Sequence, residues 1–160
     1  MGLAFLYLLL ITIFVLIDQL VKKAVVTSLL LGEPVTIINS FFYLTYVRNY
    51  GAGFSILQNA TLFLIIISII AIIILGYELL HSKKWDTWSN LAYLLIISGA
   101  CGNLIDRLRL GYVVDFLDFK IFFYDYPVFN IADSYITIGC FMLIIKVLLE
   151  NRNARNKADS

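Results

Sequence analysis

The sequence predicts an all-α membrane protein, a four-helix transmembrane bundle carrying a small extracytoplasmic β-sheet platform. Three observations predict it. Of the 160 residues, 61% are hydrophobic and only 14% charged, far from the composition of a soluble domain. Four apolar stretches each approach the ~17–25 residues that cross a bilayer. Between them lie two segments rich in β-branched and aromatic residues, which is strand composition rather than linker composition. One integral membrane domain over residues 1–150, with a polar, frayed tail at 151–160, follows from this layout.

The first span, about 2–22, runs from Gly2 to Ile17, meets Asp18 and continues at helical spacing through Gln19, Lys22 and Lys23. It has no basic leading region and no small-x-small cleavage site behind it, so it reads as a retained span. Asp18 and Lys22 stand at i, i+4 with the acid first, the favourable order for a structural helical pair. After Gly32-Glu33-Pro34 come two strands, Val35–Ile38 and Phe42–Val47, with Asn39-Ser40 as the turn between them. Arg48-Asn49-Tyr50-Gly51-Ala52-Gly53-Phe54 follows, where two glycines let the backbone approach a ligand closely.

The second span, about 60–80, has Glu78 as its only charged residue. The third, about 88–107, is less apolar. Its Ser98-x-x-x-Gly102 pair lets another helix come close, and Gly99, Asn103, Asp106 and Arg107 share one stripe. Arg107 at its end reads either as a snorkelling anchor or as a charge that enters the bundle toward partners. Tyr112 to Tyr126 is again aromatic and β-branched, and Pro127 ends it. The fourth span, about 131–149, is preceded by Asn130, which has the form of a helix cap, with Asp133 in the first turn. Asn130, Asp133 and Thr137 fall on one helical face.

Four spans put both termini on one side. Lys83 and Lys84 in the short middle loop, and Arg152, Arg155 and Lys157 in the tail, mark that side as cytoplasmic. The long segments carrying Asp115 and Asp133 then face outward. A formal net charge of +1 leaves no basic field for nucleic acid. Cys101 and Cys140 lie in apolar runs and read as small buried hydrophobes. His81 has no Cys or His near it, so no metal site is expected. Ser98-Gly99-Ala100-Cys101 has the look of a lipoprotein lipidation site but lies in mid-span.

Asp115 and Asp133 need the most explanation, because carboxylates are costly near hydrocarbon. Helix capping accounts for Asp133 without chemistry, but it leaves Asp115 unexplained. Two carboxylates sharing one proton can activate water against a peptide bond. From the residues alone three readings stand: a peptidase, a small proton-coupled transporter or channel subunit, and a non-catalytic scaffold. Transporters usually carry such acids near the midplane of repeated halves. Here the acids lie at helix mouths, and the chain has no internal repeat.

Read together, Asp18-Gln19-x-x-Lys22, Arg48-Asn49-x-Gly51-Ala52-x-Phe54, Gly99-x-x-Gly102-Asn103-x-x-Asp106-Arg107, Val113-Val114-Asp115-Phe116 and Phe129-Asn130-x-Ala132-Asp133 resemble the lipoprotein signal peptidases, or signal peptidase II, the bacterial membrane aspartyl peptidases. The likeness runs from Asp18 to Gly139, with Gly53, Ser98 and Cys101 as small or apolar departures. It implies a catalytic dyad at Asp115 and Asp133. Asn49, Gly51, Asn103, Arg107 and Asn130 would support or bind substrate, and Asp18, Lys22 and Asp106 would be structural. The implied substrate is a prolipoprotein with a diacylglyceryl-cysteine, cut just before that cysteine. The resemblance further implies the bacterial cytoplasmic membrane and contact with membrane lipid, and nothing in the sequence demands more than a monomer. It implies no metal, nucleotide or organic cofactor.

Overall fold

Among the described residues there are four helices and four strands: α1 (Gly2–Ser28), β1 (Pro34–Ile38), β2 (Phe42–Asn49), α2 (Thr61–His81), α3 (Thr87–Leu110), β3 (Val113–Ile121), β4 (Tyr124–Asp125) and α4 (Ile131–Ala158). The structure is a computed structural model and describes residues 2–51, 57, 60–81, 86–121 and 124–158. Ala52, Gly53, Phe54, Lys83 and Lys84 therefore lie outside the described residues. The helices coincide with the four apolar stretches, and each is long and apolar enough to cross a membrane.

Two helices outrun their apolar runs. Beyond Lys23 the sequence Ala24-Val25-Val26-Thr27 holds no breaker, so α1 continues to Ser28, and the chain turns at Gly32 with φ 78°. No Gly or Pro follows Gly139, so α4 runs on through the polar segment read as a frayed tail and ends at Ala158.

α3 is the central helix, packing against α1, α2 and α4. Half of its apolar window is buried within the protein, against 6% of that of α2, which explains why α3 is the least apolar of the four. α3 is thus the helix most covered by protein, and the other three leave most of their apolar surface uncovered, as helices that face lipid do. Phe5, Leu62, Ile73 and Phe141 are accordingly exposed on their outer faces. This arrangement corrects the reading of the cysteines. Cys101 is half-buried, but Cys140 is exposed on α4, because an apolar run in a bilayer can satisfy its hydrophobicity against hydrocarbon.

Where α3 meets α4, small residues replace side chains. A Cβ at Gly99 would run into the Ala132 carbonyl and lie 2.8 Å from Ile136 Cγ1. One at Gly139 would lie 2.6 Å from Ile96 Cγ1 and 2.7 Å from the Ala92 carbonyl. Gly102 of the Ser98-x-x-x-Gly102 pair faces α1 instead, where a Cβ would sit 2.5 Å from an Asp18 carboxylate oxygen. The close approach expected of α3 is thus made on two sides.

The strands form one antiparallel sheet in the order β1-β2-β3-β4. Ser40 takes the left-handed conformation (φ 60°) in the β1–β2 turn, as an Asn-Ser turn requires. Val47 pairs with Asp115, and Asn49 with Val113, so the end of β2 lies beside the start of β3. Phe42 and Phe129 both stack on Phe119, at 4.6 and 5.8 Å between centroids, tying the sheet to the entry of α4.

The packing predicts a contrast between two glycines. Gly99→Val should destabilise the detergent-solubilised protein by about 2 kcal/mol or more through overpacking. Gly76→Val should leave the melting temperature nearly unchanged, because nothing lies within 4 Å of the added carbon. Thermal unfolding of the two variants checks this.

Candidate active site

The site begins with a buried cation. Lys22 on α1 is 2% exposed, and an ammonium so placed needs an acceptor for each of its protons. It finds three. Asp18 Oδ2 lies at 3.0 Å, Asp106 Oδ2 at 2.9 Å and Asn103 Oδ1 at 3.0 Å. The i, i+4 pair read from the sequence is one edge of a cluster that joins α1 to α3. Gln19 completes it by donating to Asp106 Oδ1 at 2.9 Å and to the Gly102 carbonyl at 3.2 Å.

The two acids of the cluster also hold backbone. Asp18 Oδ1 accepts the Ala132 N–H at 3.1 Å, satisfying a donor at the N-terminus of α4 that the helix itself cannot. Asp106 Oδ2 accepts the Val114 N–H at 3.1 Å and so ties β3 to α3 at the residue that precedes Asp115.

From this base the asparagines carry the order outward. Because Asn103 turns its carbonyl oxygen to the Lys22 ammonium, its amide nitrogen faces away and donates to Asp133 Oδ1 at 2.7 Å. Asn130, fully buried, donates its amide to Asn103 Oδ1 at 3.1 Å and to Asp115 Oδ1 at 2.6 Å. It also forms a reciprocal cap: the Asp133 N–H donates to Asn130 Oδ1 at 2.9 Å, and the Asn130 N–H to Asp133 Oδ2 at 3.2 Å. The capping read from Asn130-x-x-Asp133 is present, and the same residue contacts the second aspartate. Asn130 thus touches both carboxylates.

Asp115 on β3 is 1% exposed. Asn49 at the end of β2 donates to its other oxygen at 2.9 Å and accepts the Gly51 N–H at 2.9 Å. Arg107 closes the ring of contacts from α3, with Nη2 2.9 Å from the Gly51 carbonyl. Of the two readings of Arg107, the one with partners inside the protein holds. The residues of the third-helix stripe diverge in use: Gly99 packs on α4, Asn103 and Arg107 face the site, and Asp106 holds α1 and β3.

Asp115, Asp133, Asn49, Asn103 and Arg107 line one cavity of about 530 Å³. Val113, Phe129, Ile136 and Ile138 supply apolar wall, and Thr137, on the face shared with Asp133, lines it as well. Burial pushes the Asp115 carboxyl up to about 7, and the charge of Asp133 adds to the rise, against the opposing hydrogen bonds from Asn49 and Asn130. A group that is protonated near neutrality beside a second carboxylate, in a cavity with apolar walls, can hold and transfer a proton. Among the described residues no cluster of His, Cys, Asp and Glu could hold a metal ion.

Sequence reasoning missed two contacts here. Gln19 stood in a motif without a role, and Lys22 had only Asp18 as partner. Both reach α3 across more than eighty residues of chain, so no local spacing could signal them.

The arrangement makes one stability prediction. Lys22→Met should cost about 3–5 kcal/mol, because it leaves two carboxylates buried without their cation. Thermal unfolding in detergent measures it, and a melting temperature equal to wild type would show that the cluster does not hold the fold.

Comparison with known proteins follows the same lines. The family model described as signal peptidase (SPase) II matches residues 10–149. A protein of Staphylococcus aureus named lipoprotein signal peptidase is 41% identical over 149 residues, covering 92% of this chain and 91% of its own. Its counterpart in strain JH9 matches equally, at 41% over the same coverage. A bacterial membrane enzyme solved by the in meso method at 2.3 Å superposes with a TM-score of 0.86 at 39% identity, covering 92% of this chain and 90% of that one. A second, solved at 1.9 Å, gives a TM-score of 0.80 at 39% identity, with 89% and 92% covered.

Proposed function

The chain belongs to the signal peptidase II family, membrane proteases that remove signal peptides from lipoproteins, and from that premise we propose that it is an aspartic endopeptidase whose dyad is Asp115 and Asp133. The observation that carries the reading is convergence: two acids eighteen residues apart in sequence line one cavity, and one asparagine touches both.

Two carboxylates on one cavity do not both ionise cheaply, so the pair keeps one proton near neutral pH. The ionised member takes a proton from water, which attacks the scissile carbonyl. The protonated member donates a hydrogen bond to that carbonyl oxygen as negative charge develops on it. In the second step the proton taken from water passes to the leaving amine, the carbon–nitrogen bond breaks, and the dyad returns with its single proton. No covalent acyl-enzyme forms, because neither carboxylate attacks carbon.

Substrate positioning falls to the rest of the site. Asn49, Asn103 and Asn130 hold the carboxylates at fixed orientations, and Arg107 with Gly51 fixes the backbone at the end of β2. The substrate is a prolipoprotein with diacylglyceryl-cysteine, cut just before that cysteine. A lipid-anchored cysteine presents its peptide bond at one depth in the bilayer, which removes much of the entropic cost of alignment. The apolar wall formed by Val113, Ile136 and Ile138 suits the signal helix and acyl chains. Basic residues in the α4 tail support a reading in which both termini are cytoplasmic and the cavity lies on the outer side. Every group invoked comes from one chain, so a monomer suffices.

Two outcomes are expected. Asp115→Asn and Asp133→Asn should each lower turnover of a lipidated precursor at least about a thousandfold, within the range of lost acid–base catalysis, while the protein stays folded in the membrane. Mass spectrometry of the products measures it, and normal maturation by either variant overturns the assignment. Because Asp115 keeps its proton up to about 7, kcat should fall as pH rises through that value. A kcat that climbs steadily from pH 6 to 9 contradicts the shared-proton mechanism.

A further inference from the structure

A second cavity, of about 440 Å³, lies between α1 and α3, and no residue lines both it and the dyad cavity. Its wall changes character along α1. Leu16 and Leu20 come first, one turn apart and 54% and 64% exposed, and Lys23 and Thr27 follow on the same stripe. On α3, Arg109 and Leu110 face the same groove. The trough is thus apolar toward the middle of α1 and cationic toward its end.

The charges lining the groove are not balanced. Lys22 and Asp106 form its floor, but both are committed to each other and to the cluster behind them. Lys23 and Arg109 remain, and neither side chain has a hydrogen bond or ion pair to any described residue. Arg109 lies in the last turn of α3, where a cation complements the helix dipole. Lys23 does not, since α1 carries no basic residue in its last turn. Dipole complementarity therefore leaves one of the two cations unexplained.

We propose that this groove binds one anionic phospholipid, with an acyl chain along Leu16 and Leu20 and the phosphate between Lys23 and Arg109. The order of chemistry along the stripe matches that ligand: hydrocarbon first, then a phosphodiester with a net negative headgroup. Paired cations at a membrane surface attract such lipids, and apolar side chains on spanning helices already face acyl chains. The lipid would contact the far side of the Lys22 cluster, which holds Asn103 and, through it, Asp133.

Native mass spectrometry of the purified full-length protein, given equimolar phosphatidylglycerol and phosphatidylcholine, tests this. One retained phosphatidylglycerol is expected, and Lys23→Gln/Arg109→Gln should weaken its retention roughly thirtyfold, the effect of two interfacial cations. Leu16→Trp should weaken it too by filling the trough. Lys120→Gln, at an exposed lysine on the sheet, should not. Equal retention of the two lipids, or undiminished retention by the double variant, overturns the proposal. Displacement by millimolar inorganic phosphate would show a bare anion site, and displacement by a lipidated precursor peptide would give the groove to the substrate; either result also overturns it. Asp115→Asn should bind the lipid as wild type does, so this outcome and that of the peptidase reading are read separately.

Discussion

The Lys22 ammonium is the interaction on which the remaining structure hangs. A cation at 2% exposure inside a bundle is tolerable only when every proton is accepted, and its three acceptors are Asp18, Asp106 and Asn103. Those acceptors do not end in the cluster. Asp18 also holds the first turn of α4, Asp106 holds the first residues of β3, and Asn103 holds Asp133. One charge therefore fixes the relative placement of three helices and a strand at the level where chemistry is proposed.

That arrangement also sets direction. An asparagine side chain presents a donor and an acceptor of nearly equal shape, and its orientation is decided by its strongest partner. Lys22 demands the oxygen of Asn103, so the nitrogen must point to Asp133. Asn130 follows, its own oxygen taken by the Asp133 N–H and its nitrogen left for Asn103 and Asp115. The carboxylates thus meet only donors from these asparagines. Among the described residues no buried side-chain polar atom is left without a partner, as a low-dielectric setting requires.

The remaining elements divide the work by what surrounds them. α3, with half of its apolar window covered by protein, can carry Ser98, Asn103 and Asp106 in its buried face, while α2, almost uncovered by protein, carries leucine and isoleucine. The sheet stands at the end of the bundle, where its backbone pairs internally and its rings stack on Phe119. Glycines at 99, 102 and 139 let the backbones approach until polar side chains on different helices reach one another.

The four spans, the strand-rich segments and the Asn130 cap were legible in the sequence because each rests on local physics: run length against bilayer thickness, β-branched composition, and a cap three residues before its acid. Family motifs singled out the same polar residues without saying how they touch. The helix ends were less legible. α4 outran its apolar run since only a breaker stops a helix beyond the bilayer, and Cys140 proved exposed since hydropathy does not distinguish a protein neighbour from a lipid one. What only the tertiary structure decided is the convergence itself. Lys22 meets Asn103 and Asp106, and Asn130 meets Asp115, because buried charge and amide groups must find partners wherever the packed helices bring them, and that demand acts across space rather than along the chain.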